Sequence, residues 1–462
     1  MLGIGMGVFM ATLDASIVNI SLPTLMTELN ANFATISWVV LAYVLVVTSM
    51  MLGAARLGDM IDKKKLYMLG LAIFTIASLL CGLAPTVGWL IAFRAVQGLG
   101  AAFTQSLGGA LVTEIFPPNE RGRGLGLIGT TVSTGIAIGP PLGGLLIGLA
   151  GWQSIFIVNV PVGILALYVV NRFVPSSTTR PGQRFDLAGG LVLFFTLATY
   201  ALGMTLGQDH GFGSPQTLGL LAAAAVGLVI FIVVQNRVQQ PMIDLRLFRS
   251  VLFGLSLLMG FLVFIVMSGN YILPFYLQLV KGFSTQEIGL MLMANPILMG
   301  LVAPLAGSLS DKFGSRGISL AGLVVIVIGC LTLSTLKETT TALGFILRLL
   351  PFGLGLGLFQ SPNNSAIMGS APRDRLGVAS GLMSLSRTLG STTGLPLMGA
   401  LFASLVLAFA GMPPGTDATT APPAALVAGI TGTYRVAAFV ILGSAIVASV
   451  ALWLDRRAKK QQ

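Results

Sequence analysis

VVLAYVLVVTSMMLGAA (residues 39–55) is followed by RLGDMIDKKK (56–65) and then by LYMLGLAIFTIASLLCG (66–82). Two apolar runs thus flank one short charged connector. A helix that crosses roughly 30 Å of hydrocarbon needs about 20 mostly apolar residues. Runs of this kind have no polar face to turn toward water. The pattern is typical of helical membrane proteins and predicts two spans joined by a tight turn.

The composition of the whole chain indicates the same class. Of 462 residues, 55% are hydrophobic and 9% are charged, whereas about a quarter of an ordinary soluble domain is charged. The two cysteines, Cys81 and Cys330, lie in apolar runs, and His210 is the single histidine. This argues against a disulfide framework, a metal site or a catalytic triad. We therefore expect neither an enzyme nor a cofactor, and we assign the net charge of +11 to membrane topology rather than to nucleic acid.

Further runs of span length follow along the chain, and fourteen fit. Their approximate centres are Met10, Leu45, Ile76, Gly100, Gly135, Leu165, Phe195, Val226, Phe264, Met293, Val325, Leu354, Ser391 and Ala445. The first run has no basic segment before it and no small-residue cleavage site before Asn19 and Pro23, so we interpret it as a permanent span. Whether residues precede Met1 stays open.

Lysine and arginine divide unequally between alternate connectors, as the positive-inside rule requires of bacterial inner-membrane proteins. The connectors on one side of the membrane hold only three basic residues, Lys281, Lys337 and Arg435. The connectors on the other side, together with the C-terminal tail, are rich in basic residues. These are Arg56, Lys63, Lys64, Lys65, Arg121, Arg123, Arg172, Arg180, Arg184, Arg237, Arg246, Arg249, Lys312, Arg316, Arg373, Arg375, Arg456, Arg457, Lys459 and Lys460. We expect a multi-pass protein of the bacterial inner (plasma) membrane with both termini in the cytoplasm.

The chain also repeats itself at offsets between 251 and 255 residues. The repeated features are Gly58-Asp59 with Ser310-Asp311, Asn19 and Pro23 with Asn270 and Pro274, Arg94 with Arg348, and the Gly135 to Gly144 stretch with Gly390 to Gly399. Repeated halves are common in transporters. We predict a six-helix bundle at 1–173, a linker with two inserted helices at 174–250, and a second six-helix bundle at 251–462. The fold class is then an all-α membrane protein with two pseudo-symmetric bundles in a 6+2+6 arrangement.

Four motifs in this order resemble the fourteen-helix drug:proton antiporter branch of the major facilitator superfamily. They are LDASIVNISLP (13–23), ARLGDMIDKKK (55–65), RAVQGLG (94–100) and GIAIGPPLGG (135–144), and GSLSDKFG (307–314) is a second copy of the loop motif. The first loop copy departs from the family, which has Gly where Ala55 and Asp62 stand and Arg where Met60 stands. The resemblance covers nearly the whole chain. It implies the major facilitator fold and rocking of two halves about a central cavity.

Asp14 is the carboxylate that lies well inside an apolar span. Holding a charge there costs roughly 2.5–3.5 kcal/mol on insertion scales, so such residues often serve ion movement. We hypothesise that Asp14 carries a coupling proton and that Arg94 lies near it, since positive charge favours the carboxylate. A cationic substrate would act in the same direction, so proton and substrate would compete. Alternatively, Asp14 is a structural acid bonded to Arg94 or to the backbone, and Arg94 is a structural ligand of carbonyl groups.

Three further groups of residues are candidates for function. A conformational latch is expected at Asp59, Asp62, Lys63, Lys64, Asp311 and Lys312, although these charges could serve topology alone. An antiporter helix is expected at Gly135, Gly139, Pro140, Gly143 and Gly144, although small-residue faces also serve plain packing. A substrate cavity is expected at Asn19, Gln97, Asn270, Tyr271, Gln360 and Asn363, walled by Met10 and Phe103, although each polar group could be a helix-to-helix hydrogen bond.

These features favour a proton-coupled antiporter that exports small amphiphilic or cationic compounds such as drugs, dyes or antiseptics. The alternative is an exporter of a specific metabolite or lipid-like molecule, and the sequence does not separate the two. A receptor or membrane enzyme is disfavoured because the chain has no large soluble domain and no catalytic cluster within its spans. The sequence also lacks a GxxxxGK[ST] phosphate-binding loop, so an ion gradient is the expected driving force. Small-molecule substrate, protons and the lipid bilayer are the expected partners of a monomer.

Overall fold

The structure, a computed structural model, describes residues 2–115, 121–176, 186–238, 241, 243, 245–372 and 376–460. For some helical residues in these ranges, Asp59 and Asp311 among them, only the backbone is described. These ranges contain fourteen long helices and no strand.

The helices follow one another with short connections. In chain order they are α1 (Leu2–Glu28), α2 (Phe33–Met60), α3 (Lys63–Gly82), α4 (Val87–Ile115), α5 (Arg121–Ala150), α6 (Ser154–Phe173), α7 (Leu187–His210), α8 (Pro215–Arg237), α9 (Val251–Val280), α10 (Thr285–Phe313), α11 (Ser315–Leu333), α12 (Ala342–Gly369), α13 (Leu376–Ala410) and α14 (Pro423–Lys460). Thirteen are long and apolar enough to cross a membrane, and α5 contributes a shorter apolar stretch, Thr134–Ala150. Each predicted span centre falls in one of these helices, so the chain is an all-helical multi-pass membrane protein.

Several helices begin where the sequence supplies a capping side chain. The side-chain oxygens of Asn32, Asp62, Ser250 and Thr341 each accept a backbone N–H from the first turn of α2, α3, α9 and α12. This satisfies donors that have no partner inside the helix. Within the spans the helix ladder satisfies the remaining backbone groups, which find no water in hydrocarbon.

Two helices are irregular close to a proline, whereas other helices with an interior proline, such as α5 and α12, stay regular. In α6 the regular pattern is interrupted at Val158, between Ser154–Ile157 and Asn159–Phe173, close to Pro161. In α9 it passes through a 3-10 turn at Gly269–Ile272 and a π-helical turn at Tyr276–Val280, on either side of Pro274. A proline has no N–H to donate, so the helix must adjust around it. Asn159 and Asn270 are thereby presented from irregular backbone.

The chain forms two compact units. Unit 1 is Met1–Ile243 with Thr285–Gly289, and unit 2 is Asp244–Ser284 with Leu290–Gln462. In unit 1, α1 packs on α4, α5 and α6, α4 packs on α2 and α3, and α7 packs on α2 and α8. In unit 2, α9 packs on α12, α13 and α14, and α11 packs on α12 and α14. Helix pairs therefore recur eight helices later: α1–α5 with α9–α13, and α3–α4 with α11–α12.

Glycines set the closest helix contacts in both units. A Cβ added to Gly100 of α4 would lie 2.5 Å from the backbone nitrogen of Phe74 in α3. A Cβ added to Gly355 of α12 would lie 2.6 Å from the backbone nitrogen of Ile326 in α11. Only glycine allows two backbones to approach so closely. The matching contacts show that Gly355 is the counterpart of Gly100.

Replacement of Gly100 by alanine is expected to lower the thermal unfolding midpoint of the detergent-solubilised protein, because the new methyl group meets backbone that cannot rotate away. Overpacking of this kind costs about 1–3 kcal/mol. Gly443 of α14 is the matched control, since open space surrounds its position and alanine is the better helix former by up to about 1 kcal/mol. Gly443→Ala should leave the midpoint unchanged or raise it. Equal midpoints for both variants would contradict the close contact.

Candidate functional site

Asp14 lies at the centre of a buried polar network in unit 1. Its Oδ2 accepts a hydrogen bond from Arg94 Nη1 at 2.6 Å. Its Oδ1 accepts from Gln97 Nε2 at 2.9 Å and from Asn159 Nδ2 at 3.0 Å. Two helices, α4 with two donors and α6 with one, thus direct N–H groups at one carboxylate on α1. The predicted proximity of Asp14 and Arg94 is present in the structure as a direct ion pair.

The guanidinium of Arg94 is held by more than its ion pair. Its Nε donates to the backbone oxygen of Val39 at 3.0 Å, and its Nη1 also donates to Gln97 Oε1. The charge lies over the ring of Tyr43, 4.3 Å from the ring centre, and 5.9 Å from the ring centre of Phe156. Aromatic faces attract cations most strongly where water is excluded. Arg94 therefore keeps several partners that do not depend on Asp14.

Gln97 links the ion pair to α3. Its amide nitrogen donates both to Asp14 and, at 2.8 Å, to Ser78 Oγ, while its oxygen accepts from Arg94. Ser78 Oγ in turn donates to the backbone oxygen of Phe74 at 2.7 Å. Gln97 was predicted to line a substrate cavity, but here its side chain is fully buried and connects helices. In this conformation it belongs to the Asp14 network.

The network is closed to water. Asp14 and Gln97 are 0% exposed, and Arg94 and Asn159 are 1% exposed. Breaking a buried pair by removing one partner typically costs about 3–5 kcal/mol, because a charge is left without compensation. Loss of any one of these side chains would therefore leave buried polar groups of the network without a partner.

Small residues bring α5 close to α1, the helix that carries Asp14. A Cβ at Gly139 of α5 would lie 2.5 Å from Ser16 Cβ of α1, and one at Gly135 would lie 3.1 Å from Thr12 Cβ. A Cβ at Gly143 would lie 3.0 Å from Ile17 Cγ2. Gly135, Gly139 and Gly143 of the predicted antiporter helix thus face the helix that carries Asp14. Gly144 faces another direction, toward Thr285 in the short segment that clusters with unit 1, and Pro140 lies inside α5.

Unit 2 has no copy of the ion pair among the residues that the structure describes. Because Gly355 is the counterpart of Gly100, the counterparts of Arg94 and Gln97 are Leu349 and Phe352, both buried. The expected correspondence of Arg94 with Arg348 is therefore off by one residue. Arg348 Nε donates to Thr335 Oγ1 at 3.0 Å and its Nη1 donates to the backbone oxygen of Gly344 at 2.8 Å. The one-residue shift turns Arg348 to a different side of its helix.

The other predicted cavity residues are placed as follows. Asn19 is partly buried in α1 of unit 1. In unit 2, Asn270 Oδ1 accepts from Tyr434 Oη at 2.8 Å, and Asn363 Nδ2 donates to the backbone oxygen of Ser256 at 3.2 Å. Tyr271 is buried, and Gln360 Nε2 lies 4.0 Å from the sulfur of Met267. Asn270 and Asn363 thus bond helix to helix in this conformation, as the alternative interpretation expected.

Two ion pairs lie at the helix ends where a latch was predicted. Lys63 Nζ at the start of α3 lies 2.6 Å from Glu114 Oε1 at the end of α4. Asp62 caps α3, and Lys64 Nζ donates to the backbone oxygen of Asn171 at 2.9 Å. In unit 2, Arg316 of α11 pairs with Asp455 of α14, and Lys312 is exposed. The side chains of Asp59 and Asp311 lie outside the described part of the chain.

Sequence reasoning missed Asn159, Ser78 and Glu114. Asn159 had a signal, since it is an amide within an apolar run, like the amides that were selected. Ser78 had none, because serine is common in membrane helices and usually bonds to its own backbone. Glu114 stands at a helix end among connector charges, so only the packing of α3 on α4 identifies it as the partner of Lys63.

Comparison with known proteins places this geometry in a family. A profile of the Major Facilitator Superfamily matches residues 4–395. The riboflavin transporter RibZ of Clostridioides difficile is 37% identical over 402 residues, which are 86% of each chain. The multidrug resistance protein Stp of Mycobacterium tuberculosis (strain CDC 1551 / Oshkosh) is 36% identical over 402 residues, 87% of this chain and 75% of Stp.

A solved structure supports the fold over almost the full length. A crystal structure of a bacterial homologue of the human lysosomal transporter Spinster, in an inward-facing and unoccupied conformation, covers 97% of this chain and 95% of its own, with a TM-score of 0.69 at 17% identity. At that identity the likeness concerns the fold alone. The family profile and the relatives above confirm the resemblance to the major facilitator superfamily that the sequence motifs indicated, and the solved structure agrees with the fold. The chain belongs to the major facilitator superfamily and is a membrane transporter.

Proposed function

We propose that the protein is a proton-coupled antiporter that exports small amphiphilic or cationic compounds by alternating access. The observation that carries this proposal is the buried Asp14–Arg94 pair with its N–H donors Gln97 and Asn159. A charged pair inside a membrane helix bundle is costly to build and typically marks an ion pathway. Relatives named as a multidrug resistance protein and a multidrug transporter protein support export of more than one compound.

The network suggests how proton and substrate exchange. The Asp14 carboxylate accepts one main counter-charge at a time: the Arg94 guanidinium, a proton, or the positive group of a substrate. A proton on Asp14 weakens the pair and leaves Arg94 with its other partners, whereas loss of the proton restores the pair. Two conformations that differ in this pairing would differ in proton affinity, which is the requirement for coupling. Asn159, presented from the irregular part of α6, would hold the carboxylate in place.

We infer that α1–α6 (1–173) and α9–α14 (251–462) are two six-helix repeats and that the linker and α7–α8 (174–250) are an insertion. The recurrence of helix pairs eight helices apart supports this arrangement. We further infer cytoplasmic termini, a monomer, and a latch in which Lys63–Glu114 and Arg316–Asp455 hold helix ends together in one conformation.

Export of a single metabolite is the second candidate function. One specific observation favours it: the relative that is 37% identical over 86% of both chains is named a riboflavin transporter. The two functions differ in selectivity rather than in coupling. A survey of unrelated amphiphiles distinguishes them, because a dedicated exporter accepts one chemical scaffold and rejects the others.

The proposed function is tested by transport in vesicles that carry the full-length protein in one orientation. A fluorescent lipophilic cation is added with an imposed proton gradient, and its accumulation is followed over time. We expect accumulation against the dye gradient, driven by protons moving the opposite way, and its loss when a protonophore collapses the gradient. Transport at an unchanged rate after the gradient is collapsed would contradict proton coupling.

A further inference from the structure

The strongest feature outside the Asp14 network is an arginine near the middle of a membrane-spanning helix of unit 2. Arg387 lies in α13, and its Nη2 donates to Asn364 Oδ1 of α12. Its guanidinium carbon lies 5.5 Å from the ring centre of Phe264 in α9. The described carboxylates of the chain form no ion pair with it: the pairs are Asp14–Arg94, Lys63–Glu114 and Arg316–Asp455. A guanidinium has five N–H donors, and one amide oxygen uses few of them.

The side chains around Arg387 form a partly accessible cluster from three helices. We define the Arg387 cluster as Phe264 and Met267 of α9, Gln360 and Asn364 of α12, and Arg387 of α13. All five are partly buried rather than sealed, in contrast with the Asp14 network. Gln360 Nε2 lies 4.0 Å from Met267 Sδ, so the amide donor and the apolar wall are contiguous. Helices α9, α12 and α13 pack on one another in pairs.

The cluster combines one positive charge, which has no carboxylate partner among the described residues, with amide groups, an aromatic ring and a methionine. A charge in a membrane interior is normally paired or directed at a water-filled cavity. Arginine matches carboxylate geometry with two parallel N–H bonds. The ring of Phe264 and the flexible side chain of Met267 suit an apolar body of variable shape. These groups are complementary to an amphiphile that has an anionic end.

We propose that Arg387 binds an anionic group of the transported compound, a carboxylate or its equivalent, and that Phe264 and Met267 contact its apolar part. This inference rests on the proposed export function and names a substrate class for it: amphiphiles that carry an acid, including zwitterions. Asp14 and Arg387 then have separate tasks. Asp14 handles the proton in unit 1, and Arg387 selects the substrate in unit 2.

The test is equilibrium binding of two dyes that differ in one group. Rhodamine B is a zwitterion with a carboxylate, and its ethyl ester is a cation with the same ring system. Binding to the purified full-length protein in lipid nanodiscs is measured by fluorescence anisotropy, without any gradient. Wild type should bind rhodamine B about tenfold more tightly than the ester, as expected for a hydrogen-bonded charge pair.

Variants separate recognition from a structural role. Arg387→Gln should remove the preference for rhodamine B and leave the affinity for the ester unchanged, whereas Arg387→Lys should retain part of the preference. Arg348→Gln is the matched control, because Arg348 has Thr335 and Gly344 as partners, and it should bind like wild type. Equal affinity of wild type for the two dyes, or an equal loss of both in Arg387→Gln, would overturn the proposal.

This binding test is independent of proton coupling. A carboxylate preference that depends on Arg387, in a protein that shows no gradient-driven transport, would contradict the antiport function and uphold the anionic subsite. Gradient-driven transport of both dyes with equal affinities would uphold antiport and overturn the subsite. The two proposals therefore fail in different measurements.

Discussion

Asp14→Asn is expected to reduce proton-driven accumulation of substrate to the level of vesicles without protein. The asparagine side chain occupies the same volume and can still accept a hydrogen bond from Arg94, but it cannot carry a proton at neutral pH. Arg94 keeps Val39, Gln97 and the ring of Tyr43 as partners, so the variant should stay folded in the membrane. Transport is measured with an imposed proton gradient, and the amount of inserted protein is measured in parallel.

The matched control for this prediction is Asp417→Asn. Asp417 caps the short 3-10 turn at Ala418–Thr420, outside the helices, and asparagine caps such turns about as well as aspartate. It should transport like wild type. Full proton-driven transport by Asp14→Asn would exclude Asp14 from coupling, and loss of transport in both variants would show that the assay responds to any lost carboxylate.

Arg94→Gln is expected to have the largest effect on stability. It leaves the Asp14 carboxylate 0% exposed with amide donors alone, and uncompensated buried charges of this kind cost about 3–5 kcal/mol. The thermal unfolding midpoint of the detergent-solubilised protein should fall by more than in Asp14→Asn. The double variant Asp14→Asn with Arg94→Gln removes both charges and should recover part of the loss.

The double-variant cycle isolates the energy of the pair itself, because each single variant also changes local packing. Arg348→Gln serves as the comparison outside the network, since the described hydrogen bonds of the Arg348 side chain go to a hydroxyl and a backbone oxygen. Additive shifts from Asp14→Asn and Arg94→Gln would mean that the two side chains are not coupled, contrary to their 2.6 Å contact.

The sequence predicted the helices well because each depends on a local property. About twenty apolar residues bounded by charges or by capping residues such as Asn32 and Ser250 predict a span, and this prediction does not depend on which other helices pack against it. The proximity of Asp14 and Arg94 was also predictable, since a charge within an apolar run needs a nearby opposite charge. These two residues are the charged members of the network, and charge is the strongest signal that one sequence carries.

The rest of the site depends on how helices are rotated against each other. Whether Gln97 faces a cavity or Ser78 depends on the rotation of α4 about its axis, which hydrophobicity alone does not determine. The same limit applies to Arg348. Helix packing pairs Gly355 with Gly100, so Leu349 of unit 2, and not Arg348, occupies the position equivalent to Arg94 of unit 1. The close contacts of Gly100 and Gly355 fix this rotation, and they became visible only in the packed structure.

The central claim is that Asp14 exchanges a proton for substrate, and simultaneous recording of both fluxes tests it most directly. Vesicles containing the wild-type protein are loaded with dye at equal internal and external pH, and internal pH is followed as the dye leaves. For the wild-type protein we predict that protons move in the direction opposite to the dye, so that internal pH changes as the dye leaves. For Asp14→Asn we predict that the dye leaves without any change of internal pH. A pH change in Asp14→Asn equal to that of wild type would contradict the account.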